Sequence, residues 1–188
     1  MIWPFGDLRP LSADLIVADP AWEYVMWGDG GYEKAPQAHY DCMTVEEICA
    51  LPVNQLARGD CVLFLWTTWP FMPVALQVMD AWGFTYKTGG AWRKVTRNGK
   101  VRMGPGYIVR SACEPWLIGT IGEPRYGNKS TRNLIDGLAR EHSRKPDEAY
   151  AILERLVPAT VRVDLFARQQ RPGWHAWGNE TTKFGAAA

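Results

Sequence analysis

The amino-acid sequence predicts a single α/β domain, a doubly wound, Rossmann-like sheet with one basic loop insertion at about residues 85–113. Three observations lead there. Short apolar runs that stop at turn residues alternate along the chain with segments of helical period. At 188 residues the chain has the size of one domain and is long enough to bury a core. No internal repeat or low-complexity linker divides it, so residues 1–184 form one unit and Gly185-Ala186-Ala187-Ala188 is a tail.

Taken in order, Asp14 to Ala18 is a buried strand stopped by Asp19-Pro20. Thr44-Val45-Glu46-Glu47 has the form of a capping box and opens a short helix through about Ala50. Arg58-Gly59-Asp60 is turn-prone and precedes a second buried strand, Cys61 to Trp66. Between Pro70 and Trp82, Val74, Val78, Met79 and Trp82 fall on one helical face, and Gly83 closes that helix. Phe84 to Trp92 and Glu114 to Gly119 are strands. Pro146 to Leu156 is a helix with proline in its first turn, and Asp147 and Glu148 complement its dipole. Thr160 to Phe166 is the last strand. Ligands of such sheets lie beyond the carboxyl ends of the strands, which directs attention to Asp19-Pro20 and to Phe166-Ala167-Arg168.

Composition narrows the class. Hydrophobic residues at 47% and charged residues at 22% are the balance of a folded soluble protein. The apolar runs fall well short of the roughly 20 residues of a membrane span, and Met1 to Phe5 has no charged lead, so a cytoplasmic protein is expected. Cys42, Cys49, Cys61 and Cys113 form no Cys-x-x-Cys pair and no metal-ligand cluster; all four are read as reduced thiols, and no metal is expected. Ten tryptophans are unusual for this length, and Trp22, Trp92, Trp174 and Trp177 lie beside polar, Pro or Gly residues where packing and ligand contact are both open.

The net charge of +1 is neutral on partners, but its distribution is not. From Phe84 to Cys113 the chain has Lys87, Arg93, Lys94, Arg97, Lys100, Arg102 and Arg110 and no acid. Cations in that density suit phosphate contact, with Trp92 alongside as a stacking surface. A solvated basic surface is the plainer alternative.

Asp19-Pro20-Ala21-Trp22 carries chemistry of its own. Methyl transfer to an aromatic amine needs acceptors on the amine protons to orient the nitrogen and stabilise developing charge. A carboxylate and the carbonyl of a following proline supply two acceptors, and a nearby indole gives a face for an unstacked base. Asp-Pro followed by a packed tryptophan is also an ordinary strand-ending turn.

The longer pattern resembles the MT-A70 family of adenine-N6 methyltransferases, including its small bacterial and phage members. The likeness starts at Asp19-Pro20-Ala21-Trp22 and continues through His39-Tyr40-Asp41-Cys42-Met43, Leu65-Trp66-Thr67, Gly104-Pro105-Gly106-Tyr107 and Arg110 with Glu114. It extends through Arg140-Glu141-His142-Ser143-Arg144-Lys145-Pro146-Asp147-Glu148, Asp164-Leu165-Phe166-Ala167-Arg168 and Pro172-Gly173-Trp174-His175-Ala176-Trp177-Gly178-Asn179-Glu180. Ala21 departs from the family's usual second proline. A cofactor contact supplied upstream elsewhere in the family falls here to Ile2 to Phe5 or is missing.

The resemblance implies a methyltransferase fold, S-adenosylmethionine as cofactor and a nucleic acid as partner, with DNA favoured over RNA. It implies that Asp19 and the Pro20 carbonyl hold the target amine while Trp22 stacks on the base. Lys145 would reach the pocket near the cofactor or target nucleotide. Arg168, Asn179 and Glu180 would hold the cofactor with Asp19, and Asp164 is a further candidate. Some members work in pairs in which a silent subunit has lost the tetrapeptide acid; a homodimer or heterodimer is therefore open, and Asp19 marks this chain as an active subunit. A silent scaffold of the same fold, an RNA enzyme and an enzyme of another amine are the alternatives.

Overall fold

The computed structural model describes residues 3–22, 42–106, 108–141 and 143–185. Ile2, Glu23, His39, Tyr40, Asp41, Tyr107 and His142 lie outside them. Among the described residues the strands are β1 (Ala13–Ala18), β2 (Ala57–Trp66), β3 (Thr85–Val95), β4 (Cys113–Ile121), β5 (Leu134–Leu138), β6 (Arg162–Leu165) and β7 (His175–Trp177). The α-helices are α1 (Val45–Ala50), α2 (Met72–Ala81) and α3 (Asp147–Leu156).

The seven strands form one sheet in the order β5-β3-β4-β2-β1-β6-β7. β1 pairs parallel with β2 and β6, β3 with β5, and β6 with β7, whereas β4 runs antiparallel between β2 and β3. One reversed strand in an otherwise parallel sheet has a direct consequence. The carboxyl ends of six strands and the amino end of β4 share one edge of the sheet.

Both faces of the sheet are covered, as the near-continuous apolar runs of β1 and β2 require. Ile16, Ala18, Leu63 and Leu65 pack with Ile48 of α1 and Ala75, Val78 and Met79 of α2. Leu15, Val17, Val62 and Phe64 face the other way, onto Ala149, Tyr150 and Leu153 of α3. The α/β fold expected from the sequence is present, with two cores separated by the sheet.

Local signals act as read. Thr44 accepts from the Glu47 N–H while Glu47 accepts from the Thr44 N–H, completing the capping box. Gly83, at φ +76°, ends the turn after α2. Elsewhere the structure departs from expectation. Arg58-Gly59-Asp60 is strand, not turn: β2 starts at Ala57 and absorbs these residues in a shift of register against β1. The basic insertion is narrower than residues 85–113, because Thr85–Val95 is a strand between two others and Cys113 opens β4. Gly89 and Gly90 lie inside that strand for lack of space: a Cβ on Gly90 would stand 2.0 Å from the Asn133 carbonyl oxygen. Of the described residues from 85 to 113, those between Val95 and Cys113 lie outside the named strands.

Candidate active site

Asp19 follows the last residue of β1, so its carboxylate stands at the common strand edge. Lys145, from the loop entering α3, donates to its Oδ2 at 2.6 Å. The same ammonium is 3.0 Å from Oε1 of Glu114 at the start of β4, and Oε2 of Glu114 is 2.7 Å from the Lys94 ammonium at the end of β3. Four charges of alternating sign thus join three strands and a loop. Lys145 is 8% exposed and its Nζ stands 5.6 Å from the centre of the Trp66 ring.

Burial sets the titration of this chain of charges. It pulls Lys145 down, but the carboxylates of Asp19 and Glu114 outweigh it and hold the ammonium above the usual lysine value. Burial raises Glu114, yet Lys145 and Lys94 together bring it below the ordinary glutamate range. Asp19 stands above the ordinary aspartate value, raised mainly by burial and further by Glu114, with Lys145 opposing. Glu114 is the site residue that sequence reasoning missed. It stands in a matching motif beside Arg110, but no local pattern names Lys145 and Lys94 as its partners.

Pro20 and Trp22 form a tight turn beside Asp19. The Trp22 N–H donates to the Pro20 carbonyl at 2.9 Å, leaving that oxygen capacity for one more donor. Ala21 accepts from the Met43 N–H at 3.1 Å, and Trp22 is buried with its ring 5.8 Å from Phe71. The indole therefore lines the wall of the site and offers little open face among the described residues.

On the far side, Arg168 follows β6 and its Nε is 2.7 Å from Oε2 of Glu180, beyond β7. Asn179 is exposed next to Glu180. Phe184 lies under two guanidinium groups, of Arg144 at 5.3 Å and Arg168 at 5.4 Å. Phe166 has φ +60°, rare for a bulky side chain, and Gly178 has φ +152° with its Cβ direction blocked 2.9 Å away by the Ala167 nitrogen. Backbone from the ends of β6 and β7 meets here at close quarters. Asp164 lies behind this layer rather than in the open: it is buried, accepts from the Tyr150 hydroxyl at 2.9 Å, and is raised to about 7, chiefly by burial.

An open cleft of about 1310 Å³ connects these groups, reached by Asp19, Pro20, Lys145, Arg168, Asn179 and Glu180. A sequence model of the MT-A70 family matches residues 13–180. The chain belongs to the MT-A70 family. It is 32% identical over 200 residues to the Type II methyltransferase M.MunI of a Mycoplasma species, spanning 94% of this chain and 81% of that protein. It is 30% identical to an N(6)-adenosine-methyltransferase MT-A70-like protein of Arabidopsis thaliana and 29% identical to the human N(6)-adenosine-methyltransferase catalytic subunit METTL3. In both cases the match spans 95% of this chain, but only 26% and 31% of those longer proteins.

The cations of this MT-A70 chain divide in space. Arg93 forms a two-armed pair with Asp136 at 2.6 and 2.7 Å, and Lys94 is committed to Glu114. Acids distant in sequence thus neutralise two of the seven. Lys87 lies near the amino end of β3, seven residues and roughly 23 Å of extended chain from Lys94 and the cleft. Arg97, Lys100, Arg102 and Arg110 are exposed on residues 96–112. Arg102 also donates to the carbonyls of Ala139 and Arg140, both at 3.4 Å, tying that loop to the one bearing Lys145.

The tryptophans are mostly structural. Trp92 is 3% exposed, donates to the Gly137 carbonyl at 2.9 Å and carries the Lys94 ammonium 5.0 Å from its ring centre, so it is no stacking surface for a base. Trp174 donates to Glu154 at 2.7 Å. Trp177 donates to the Pro4 carbonyl at 3.0 Å and packs edge-on against Phe5, so the described part of the amino-terminal segment is packing. Among the described residues no helix is long and apolar enough to cross a membrane, and no three His, Cys, Asp or Glu residues cluster as metal ligands.

Proposed function

We propose that the chain transfers a methyl group from S-adenosylmethionine to the N6 amine of adenine in a nucleic acid, DNA in preference to RNA. The observation that carries this reading is the Asp19 carboxylate beside the Pro20 carbonyl, fixed by Lys145 at 2.6 Å on the edge of an open cleft. Two acceptors side by side match the two protons of an exocyclic amine.

The residues at the cleft fit the cofactor. It bears a sulfonium and an ammonium, a carboxylate and a ribose. The carboxylates of Asp19 and Glu180 suit the cations, the Arg168 guanidinium suits the carboxylate, and the Asn179 amide suits ribose hydroxyls. When bound, S-adenosylmethionine supplies a methyl group activated by its positive sulfur. This chain's own residues hold the amine. Lys145 engages Oδ2 of Asp19, which fixes the carboxylate and leaves its second oxygen outside that contact. The amine loses a proton for the methyl it gains, and a carboxylate raised above its ordinary value is suited to hold that proton.

DNA is preferred because the Mycoplasma type II methyltransferase is matched over most of its length, whereas the plant and animal adenosine methyltransferases are matched over less than a third. The test incubates the protein and S-adenosylmethionine with DNA and RNA, single- and double-stranded, and counts methylated nucleosides by mass spectrometry. N6-methyladenine is expected, more on DNA, and Asp19→Asn should lower its rate about 10²–10³-fold. A different methylated base, or an Asp19→Asn variant as active as wild type, overturns the reading.

A further inference from the structure

Residues 96–112 hold apolar side chains that the fold does not bury. Ile108 is 98% exposed, Val109 78% and Met103 74%. The segment is nevertheless built. Val95 bridges Val101, the Arg102 N–H donates to the Lys94 carbonyl at 2.8 Å, and the Gly104 N–H donates to the Ser111 carbonyl at 2.7 Å. The Ser111 N–H donates back to the Pro105 carbonyl at 3.3 Å, closing the base of a finger. A Cβ on Gly106 would stand 2.0 Å from the Val109 carbonyl oxygen, so these two described residues lie close together. Ile108 and Val109 therefore project from a closed loop, on the rim of the cleft that holds Asp19.

The surroundings of these side chains indicate what they meet. Arg110 is exposed on the finger, Arg97, Lys100 and Arg102 are exposed on the hairpin that leads into it, and no acid occurs between Phe84 and Cys113. An apolar tip on an acid-free, cation-bearing segment complements a polyanion with apolar faces inside it: phosphates outside, stacked bases within. In a duplex the adenine amine is engaged in its base pair, so it reaches Asp19 only if the nucleotide leaves the stack. Something must then occupy the gap.

We propose that Ile108 and Val109 form a wedge that enters the base stack of a duplex and fills the space left by the adenine drawn into the cleft, while Arg110 and the cations of the adjoining hairpin hold the flanking phosphates. The proposal rests on the methyl-transfer reading of the cleft and names its substrate as double-stranded. It assigns to the finger a step that a single strand does not need.

The test compares wild type with Ile108→Ser/Val109→Ser on one unmethylated plasmid DNA, native and heat-denatured, counting N6-methyladenine by mass spectrometry. Both side chains are exposed, so the fold should survive, and an unchanged melting temperature verifies it. The wedge predicts a loss of about tenfold or more on native DNA and a far smaller loss on denatured DNA, because unstacking is the step removed. Equal losses on both forms, or no loss on native DNA, overturn the wedge. So does a wild type active on denatured DNA alone, and that result leaves the methyl-transfer reading standing. A wild type inactive on all nucleic acids removes that reading and the wedge with it. Sedimentation of the free proteins is the control: a wild-type dimer that the double variant turns into a monomer would make the tip a protein contact and overturn the proposal.

Discussion

Asp19 receives opposite instructions from Lys145 and Glu114, the two charged neighbours that act on it most. Glu114 and burial favour its protonated form, and Lys145 favours the carboxylate. Only the carboxylate accepts from the amine with full strength, so the rate should fall as pH drops through the raised value of Asp19 and level off above it. The two partners should then move that acidic limb in opposite directions. Glu114→Gln removes a repelling charge and leaves Lys145 to Asp19 alone, so the limb moves to lower pH. Lys145→Met removes the attraction, and the limb moves to higher pH. Single-turnover methylation measured against pH checks both, and two shifts of the same sign would show that this pairing does not govern Asp19. The residues of this network differ in how far the sequence reveals them. Asp19, Lys145, Arg168 and Glu180 stand in short motifs with residue types suited to the chemistry. The contact of Glu114 with Lys145 exists only because β4 reverses and brings its amino end to the edge where the other strands finish.

At the scale of elements, legibility follows burial. β1, the second half of β2 and the middle of β4 are apolar runs buried on both faces, and each is visible in the sequence as a strand. β5 alternates exposed and buried residues, contains Asp136 and Gly137 and lies at an edge, while β7 has only three residues; neither carries a run long enough to register. Their pairing partners, not their own composition, make them strands. The turn after β7 shows the same dependence. Gly178 reads as an ordinary loop glycine, yet backbone atoms of Phe166 and Ala167 lie about 3.0 Å from where its Cβ would be. Backbone cannot yield as a flexible side chain can. Gly178→Ala should therefore cost about 1–3 kcal/mol, as overpacking does. Because the turn places Asn179 and Glu180, it should also weaken S-adenosylmethionine binding about tenfold or more. Thermal melts and calorimetric titration test this, and a variant with a lower melting temperature but unchanged affinity would separate the turn from the cofactor.

For the whole molecule, the two cores must be held to one sheet while the edge between them stays polar. Asp164 lies where that demand is sharpest. Its carboxyl, in β6, is buried against α3, accepts from Tyr150 and is approached by Arg171, Asp19 and Lys145, yet burial dominates and lifts it to about 7. The unfolded chain ionises near the ordinary value of 3.8, so between that pH and about 7 the unfolded state sheds a proton that the folded state keeps. Stability should fall with rising pH across this window and then level off, by up to about 4 kcal/mol from this group alone. Asp164→Asn tests the sign. The amide is neutral at every pH and its oxygen still accepts from Tyr150. The variant should match wild type near pH 4, gain on it steadily to pH 7, and hold a constant lead above. Melting temperatures at intervals through that range measure it. A variant weaker than wild type by the same margin at every pH would mean that Asp164 is charged in the fold, with Arg171 and Lys145 outweighing its burial.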